Sequence, residues 1–482
     1  MLQPVLKILG GAALGFVLIT GSTSPGAAKT IEDRMKLLEA TIHDLLERDS
    51  KKSETIKKLN KRIEELNRGE RRLEAPKEAS HAGHHHGYDH GSGKGRKPDL
   101  YSVSAGDKGR LRLKSVSLDT NIVGGYSSER DDAEIRRLHG GGHDPDRTGF
   151  TVQAVDLGIY GALDPYFDAQ ANIVFLLNEE GETKVELEEA FMRTKNLPLG
   201  LEFEAGMIFT EIGAFNPMHI HGWRWIDQPI IMSRVFGGDG MRAPGLRAAW
   251  KAPWNGTFHI TGQNPIGETM VSFLANDEFF GESPIGGRAL KENAIDGIGE
   301  LVWTGRYTQH IESGKFHVDL GLSGAIGPNA TGRNANTYIW GADFTANRKL
   351  SNDRSLFVYL EWLHRIYEAA ADPASGFAED TLDDYGMVAE LLYGFNKKWS
   401  AGARYEYVHG SGESVGHFAS READPNRDTR HRFSPLLAWQ FAPGAKLRLQ
   451  YNYDQTNRLA KNDAHSVWLG FNWSIGAGNT GH

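Results

Sequence analysis

The chain has 482 residues, a formal net charge of −8 and no cysteine. The missing thiols exclude disulfides and thiolate metal sites, and the acidic balance argues against a general nucleic-acid binder, which is normally basic. With 57 glycines, 10% aromatic and 39% apolar residues, the composition suits a β protein with many turns and one polar face better than a chain with a large oily core.

The first element reads as an export signal over residues 1–28. Lys7 precedes the apolar run "ILGGAALGFVLIT", and "GSTSPGAA" follows, with Gly26 and Ala28 at the −3 and −1 positions of a cleavage site. The run is too short to span a bilayer as a helix. Residues 29–74 follow a heptad pattern. Ile31, Leu38, Leu45, Leu59, Leu66 and Leu73 fill the d row and Met35, Ile42, Ile56 and Ile63 the a row, with Asp49, Lys52 and Glu70 interrupting the seam. A stripe that narrow is buried only against another helix, which predicts an α-helical coiled coil and an oligomer. Ile at a with Leu at d favours two strands, a tendency that a fused trimeric domain can override.

Residues 75–110 have a linker's composition and contain "HAGHHHGYDH". Here His81, His84, His85, His86 and His90, with Asp89, could chelate Zn²⁺, Cu²⁺ or Ni²⁺ loosely, since flexible imidazoles suit such ions without defining a geometry. No cofactor is required by the sequence.

From Leu111 to Gly476 the period is two, and residues 477–482 form a short tail. In "FDAQANIVFLL", Phe167, Ala169, Ala171, Ile173, Phe175 and Leu177 oppose Asp168, Gln170 and Asn172; "LEFEAGMIF", "KLRLQYNYD" and "WSAGARYEYV" alternate likewise. Short turns near 163–166, 196–200, 252–256, 305–315, 347–354, 396–398 and 442–446 alternate with longer loops at 127–147, 178–184, 210–244, 264–293, 326–336, 363–383, 409–431 and 455–464. This predicts an all-β transmembrane barrel of about sixteen antiparallel strands, with both ends of the barrel chain in the periplasm. Tyr160, Trp250, Trp303, Tyr338, Trp340, Tyr359, Trp399 and Trp473 are expected to form interfacial girdles.

The plan from Ile31 to Trp473 resembles the bacterial porins, and its coiled-coil-then-barrel order resembles the phosphate-selective porin O/P group. More locally, "FNPMHIHGWRWIDQPIIMSRVFGGDGMRAPGL" (215–246) and the segment 433–473 resemble a group of Gram-negative outer-membrane proteins labelled zinc-regulated receptors. The chain has no plug domain of the TonB-dependent kind, and its last aromatic, Trp473, is displaced from the C-terminus. The resemblance implies an outer-membrane location, passive transport and a homo-oligomer, a trimer rather than a dimer.

The third long loop, 210–244, carries too many large apolar groups to be solvated, and the porin resemblance implies that it folds inward to constrict the channel. Its polar members His219, His221, Arg224, Asp227, Arg234, Asp239 and Arg242 would then set selectivity, and the spacing of His219 and His221 would let them share a metal. The strand register turns Asp156, Asp168, Glu186, Glu188, Glu202, Glu204, Asp319, Asp343, Glu390, Glu406 and Asp454 inward, against Arg247, Lys251, Arg404 and Arg448. That acid excess predicts small hydrophilic solutes, neutral or cationic, rather than phosphate. The alternatives are a divalent-metal uptake channel with a His-rich periplasmic segment, and a structural envelope tether. There is no G-x-S-x-G, H-E-x-x-H or phosphate-loop motif, and no enzymatic activity is expected.

Overall fold

The structure, a computed structural model, describes residues 100–104, 109–178, 181–264, 297–329, 331–332, 335–374, 376, 378–412 and 420–476. The signal peptide, the coiled coil and the histidine tract predicted above lie outside the described residues.

A short strand, β1 (Tyr101–Ser104), falls within the segment read as linker. Sixteen longer strands follow: β2 (Arg110–Ser127), β3 (Gly149–Asp164), β4 (Phe167–Leu177), β5 (Thr183–Thr194), β6 (Leu201–Phe209), β7 (Arg242–Lys251), β8 (Gly256–Gln263), β9 (Val302–Ser313), β10 (Phe316–Pro328), β11 (Asn336–Lys349), β12 (Ser355–Ala369), β13 (Asp380–Gly394), β14 (Trp399–Ser411), β15 (Arg430–Ala442), β16 (Ala445–Thr456) and β17 (Asp463–Ile475). Each pairs antiparallel with the next, and β17 pairs with β2 from Ser466↔Ser127 to Ile475↔Leu118. The barrel is therefore closed, each of the sixteen long strands having a neighbour on both sides. β1 covers the lower part of β2, from Tyr101↔Leu113 to Ser104↔Arg110, beyond the reach of β17.

Short turns gather at one end and long loops at the other, as the sequence predicted. The turn end uses residues suited to left-handed backbone, such as Asn255 (φ 60°) before β8 and Gly314 (φ 60°) between β9 and β10. Strands run from 8 to 18 residues, longer than expected at several loop ends. Along β16, Arg448, Gln450, Asn452 and Asp454 are buried inside while Leu449 is exposed outside and Leu447, Tyr451 and Tyr453 lie outside with it. Leu322, Trp340, Leu437, Trp439 and Leu469 likewise stand on the outer face. Such an apolar exterior on a closed barrel is compatible with a hydrocarbon surround, where every backbone group must be paired internally. Among the described residues no helix is long and apolar enough to cross a membrane.

Two girdle expectations are corrected. Tyr160 and Tyr359 are buried, pointing into the barrel, because each falls on the inward phase of its strand next to carboxylates or amides. Tyr359 donates to Glu361, for example. Phe209, placed outside by alternation, is also buried and meets the His219 ring edge-on at 5.3 Å.

Candidate pore site: a loop folded into the barrel

The connection between β6 and β7, residues 210–241 (L3), enters the barrel and is buried along nearly its whole length. Its neck is tied by Asn216, whose amide donates to the carbonyls of Thr210 (2.8 Å) and Met241 (3.0 Å) and whose carbonyl accepts from Met241 N (2.7 Å). Within the neck the chain also reaches the β10–β12 wall. Gly213 N donates to Ser323 on β10 (3.1 Å), and Ala214 N and Phe215 N donate to the Glu361 carboxylate on β12 (2.9 and 3.2 Å). Gly213 has φ +66°, and a Cβ there would overlap Glu361. Gly213→Ala is thus expected to misplace the loop's entry at a cost of about 1–3 kcal/mol, read as a lower temperature of barrel unfolding on heat-modifiability gels.

The loop then returns to the β3–β5 wall. His219 Nδ1 lies 2.6 Å from Glu188 and its Nε2 2.9 Å from Glu189, while His221 Nδ1 lies 3.1 Å from Asp156. The two imidazoles stack at 5.5 Å, but their nitrogens address different carboxylates instead of converging on one point. Glu189 was missed by the sequence reading. A register shift opposite Asn172/Ile173 makes Glu188 an extra residue in β5, so two successive carboxylates face inward.

Beyond His221 the loop meets the β14–β16 wall. Arg448 donates to the carbonyls of Trp223, Arg224 and Trp225, Trp225 Nε1 donates to Ser434 O (3.1 Å), and Ile226 N donates to Gln450 (2.7 Å). Arg224 stacks on the Phe357 ring at 3.5 Å. Asp227 is the hub. Its carboxylate accepts from Arg404, from Arg432 (3.1 Å), from Gln450 (2.6 Å) and from Asn452 (3.0 Å), and His139 Nδ1 lies 3.2 Å away. Burial alone would raise its pKa, but Arg404, His139 and Arg432 hold it well below the usual carboxylate range.

A seven-residue helix of about two turns (Ile230–Phe236) begins where Ile230 N donates to Glu406 (2.6 Å), a carboxylate at a helix start. Arg234 pairs with Asp428 of the seventh loop. Ile212, Phe215, Ile220, Trp223, Ile230, Ile231, Met232, Val235 and Phe236 pack against Val174, Leu176, Val302, Ile339, Leu363, Val388 and Val408 from the wall. The barrel thus holds an apolar core inside it, each large side chain contributing about 1.5–3 kcal/mol by burial.

The first loop, 128–148, closes over this plug. Its helix α1 (Asp132–His139) is capped by Asp131, which accepts from Ala133 N (3.1 Å), and ends at Gly140 in the left-handed region. Arg430 and Arg432 donate to Leu138 O (2.8 and 2.6 Å), satisfying the carbonyl end of the helix.

The predicted lumen residues divide by position. Arg247 pairs with Glu204 (2.5 Å), which also takes Arg193 (2.6 Å). Arg404 pairs with Glu406 (2.8 Å) besides Asp227, and Arg448 serves the loop carbonyls described above. Glu186 pairs with Arg242 (2.9 Å), which belongs to the start of β7 and not to the loop. Asp168 and Glu202 lie partly exposed near the turn end, Asp168 with Lys114 and Lys195. Asp239 is buried beside His143, 3.7 Å away. The register reading overlooked Arg112, Arg306, Arg365, Arg430 and Arg432, all buried on inward positions, and the half-buried Arg193, which pairs with the inward Glu204. The wall is a mosaic of ion pairs, such as Arg306–Asp343 (2.6 Å) and Arg432–Asp454 (2.8 Å), and the expected acid excess is smaller than the sequence suggested.

No protein-family model matches the chain. Over 339 residues it is 27% identical to an uncharacterized protein of Aquifex aeolicus (strain VF5), 64% of this chain and 67% of that protein. Among solved structures it is similar to the outer membrane channel DcaP of Acinetobacter baumannii, with a TM-score of 0.50 and 11% identity over 78% of this chain and 100% of that one. It is also similar to in-vitro folded OmpT, an outer membrane protein of Vibrio cholerae, in its trimer form, with a TM-score of 0.46 and 11% identity over 77% of this chain and 100% of that one. At such identities the likeness to DcaP speaks for the fold, that of outer-membrane β-barrels.

Proposed function

We propose that the chain is an outer-membrane channel for passive diffusion of small hydrophilic solutes, neutral or cationic, with L3 setting what passes. The observation that supports this reading is L3 itself. A sixteen-stranded barrel is wide enough for an aqueous channel, and here a loop held by polar contacts to β3, β5, β10, β12 and β14–β16 occupies that width. The passage is therefore narrow and lined by paired charges, which suits a restricted solute range better than general sieving. Short turns would face the periplasm and long loops the exterior. A trimer is the expected state in the membrane, which the porin O/P likeness of the sequence supports.

The test is electrical. Purified protein in a planar bilayer under a KCl gradient is expected to show small, stepwise conductance with a reversal potential of mild cation preference. Anion selectivity would overturn the solute class, and the absence of any conductance or liposome swelling would overturn the channel. A second reading, divalent-metal uptake, is favoured by the imidazole–carboxylate group on the β3–β5 wall. In that reading the histidine tract at 81–90 would be an ion-collecting periplasmic segment.

A further inference from the structure

We propose that Asp156, Glu188 and His219 form a binding site inside the barrel for a divalent transition-metal ion of the zinc class. One ligand atom from each lies within 4.8 Å of the others, and all three side chains are buried. The set arises from two local features. The β5 irregularity turns Glu188 and Glu189 inward together, and L3 returns to that wall to place one imidazole between them.

The arrangement has both shells of a metal centre. Glu188 is 2.6 Å from His219 Nδ1, and Glu189 is 2.9 Å from Nε2. With an ion on Nδ1, Glu188 and Asp156, the Nε2–H would remain on Glu189, the carboxylate–histidine–metal arrangement that fixes the tautomer and strengthens the ligand. His221 Nδ1 and Asn172 Nδ2 hold the Asp156 carboxylate (3.1 and 3.2 Å). Entry of the ion displaces the Nδ1 proton to solvent, so one H⁺ leaves as one M²⁺ binds.

Charge favours such an ion. Asp156, Glu186, Glu188, Glu189 and Asp239 bring five carboxylates to this region; Arg242 and Lys184 pair with Glu186, Glu188 and Asp239, while Asp156 meets His221 and Glu189 meets His219. Buried negative charge is costly without compensation. A second, independent observation lies next to Glu188. His143, Glu188 and Asp239 border a cavity of about 20 Å³, roughly the room of one water or ion. His143 Nε2 and both Asp239 carboxylate oxygens are buried there and make no hydrogen bond; His143 Nε2 stands 3.6 Å from Glu188 and 3.7 Å from Asp239. On the other side His221 borders a cavity of about 190 Å³ with Asp119, Asn121 and Lys446. The site thus sits between a loop-end pocket and a turn-end pocket.

Imidazole with carboxylates, in a chain without cysteine, selects Zn²⁺, and with it Ni²⁺, Fe²⁺ or Mn²⁺, over Mg²⁺, which prefers an all-oxygen octahedron. The inference deepens the second reading above and rests on the channel reading only for its effect on current.

The experiment uses the full chain with His81, His84, His85, His86 and His90 changed to alanine, titrated calorimetrically with ZnCl₂ in two buffers of different ionisation enthalpy. One Zn²⁺ per chain is expected, with net release of a proton and no response to MgCl₂. Glu188→Gln and His219→Gln should each weaken binding at least about tenfold, and Glu189→Gln about 10–100-fold with the stoichiometry kept. Heat-modifiability gels verify folding of each variant, and Asp156→Asn replaces any that fails. No zinc uptake by the tract-free chain, or uptake unchanged in the folded variants, overturns the site. In bilayers micromolar Zn²⁺ should reduce the potassium current of the tract-free chain and spare that of His219→Gln. Zinc binding without any current would sink the channel reading and leave the site standing.

Discussion

Asp227→Ala is expected to release L3 from the β14–β16 wall and to raise the mean conductance. Asp227 is buried and answers two arginines, two amides and His139 at once. Removing it leaves Arg404 with Glu406 and Arg432 with Asp454, strips Arg432 of its contact with L3, and leaves Arg404 holding the loop only through the carbonyl of residue 227 and the Trp225 ring. Breaking one side of a buried ion pair costs about 3–5 kcal/mol, which at about 1.4 kcal/mol per decade moves the docked-to-undocked ratio by roughly two to three and a half powers of ten. The readouts are single-channel recording and trypsin cleavage at Arg224 and Arg234, both shielded while the loop is docked. Unchanged current with unchanged protease resistance would refute the assignment of Asp227 as the latch.

The larger effect is expected from excising L3. Thr210 N donates to Met241 O at 2.9 Å, so residues 211–240 can be replaced by a short Gly-Ser link without spreading β6 from β7. The excised barrel should pass sugars that the intact one rejects in liposome swelling, with conductance increased about tenfold or more, as expected of an open sixteen-stranded lumen. It should also unfold at lower temperature, because Val174, Leu176, Ile339, Leu363, Val388 and Val408 lose their cover. Equal solute cut-offs with and without the loop would show that L3 does not set the passage.

Much of this architecture was legible in the sequence, for a physical reason. A barrel wall has one apolar and one polar face, so period two marks every strand, and the alternation of short and long connections fixes closure with both ends on one side. The burial of L3 was legible from its tryptophans and isoleucines, which solvent would not tolerate, and its inward direction came from the porin resemblance. What alternation could not deliver lies where it breaks. Glu189 faces inward only because β5 carries an extra residue, and a strict two-residue count sends it to the lipid. Phe209 fails for a similar reason, at the strand's last position, where the chain turns into the lumen. The inward arginines were missed because their partners sit on L3 or on the next strand: Arg432 answers Asp227 of the loop, and Arg365 answers Asp384, itself not foreseen (2.9 Å). Such pairings follow from tertiary register, which local composition does not encode. His219 was legible as a polar group of the loop, but its pair of carboxylates was not.

The threading of L3 also constrains the order in which the molecule can be made. The loop leaves the chain after β6, yet its contacts to Ser434 and Gln450 span 209 and 223 residues of sequence, and Arg430 reaches back 292 residues to Leu138. The plug therefore cannot finish docking until the last strands have been synthesised and inserted. Contacts of such range are slow to form, and until then a tryptophan-rich segment stands uncovered. Sealing of β17 on β2 and seating of the plug are thus one late event, and a nascent barrel halted before it would be open, sticky and in need of a chaperone's shelter.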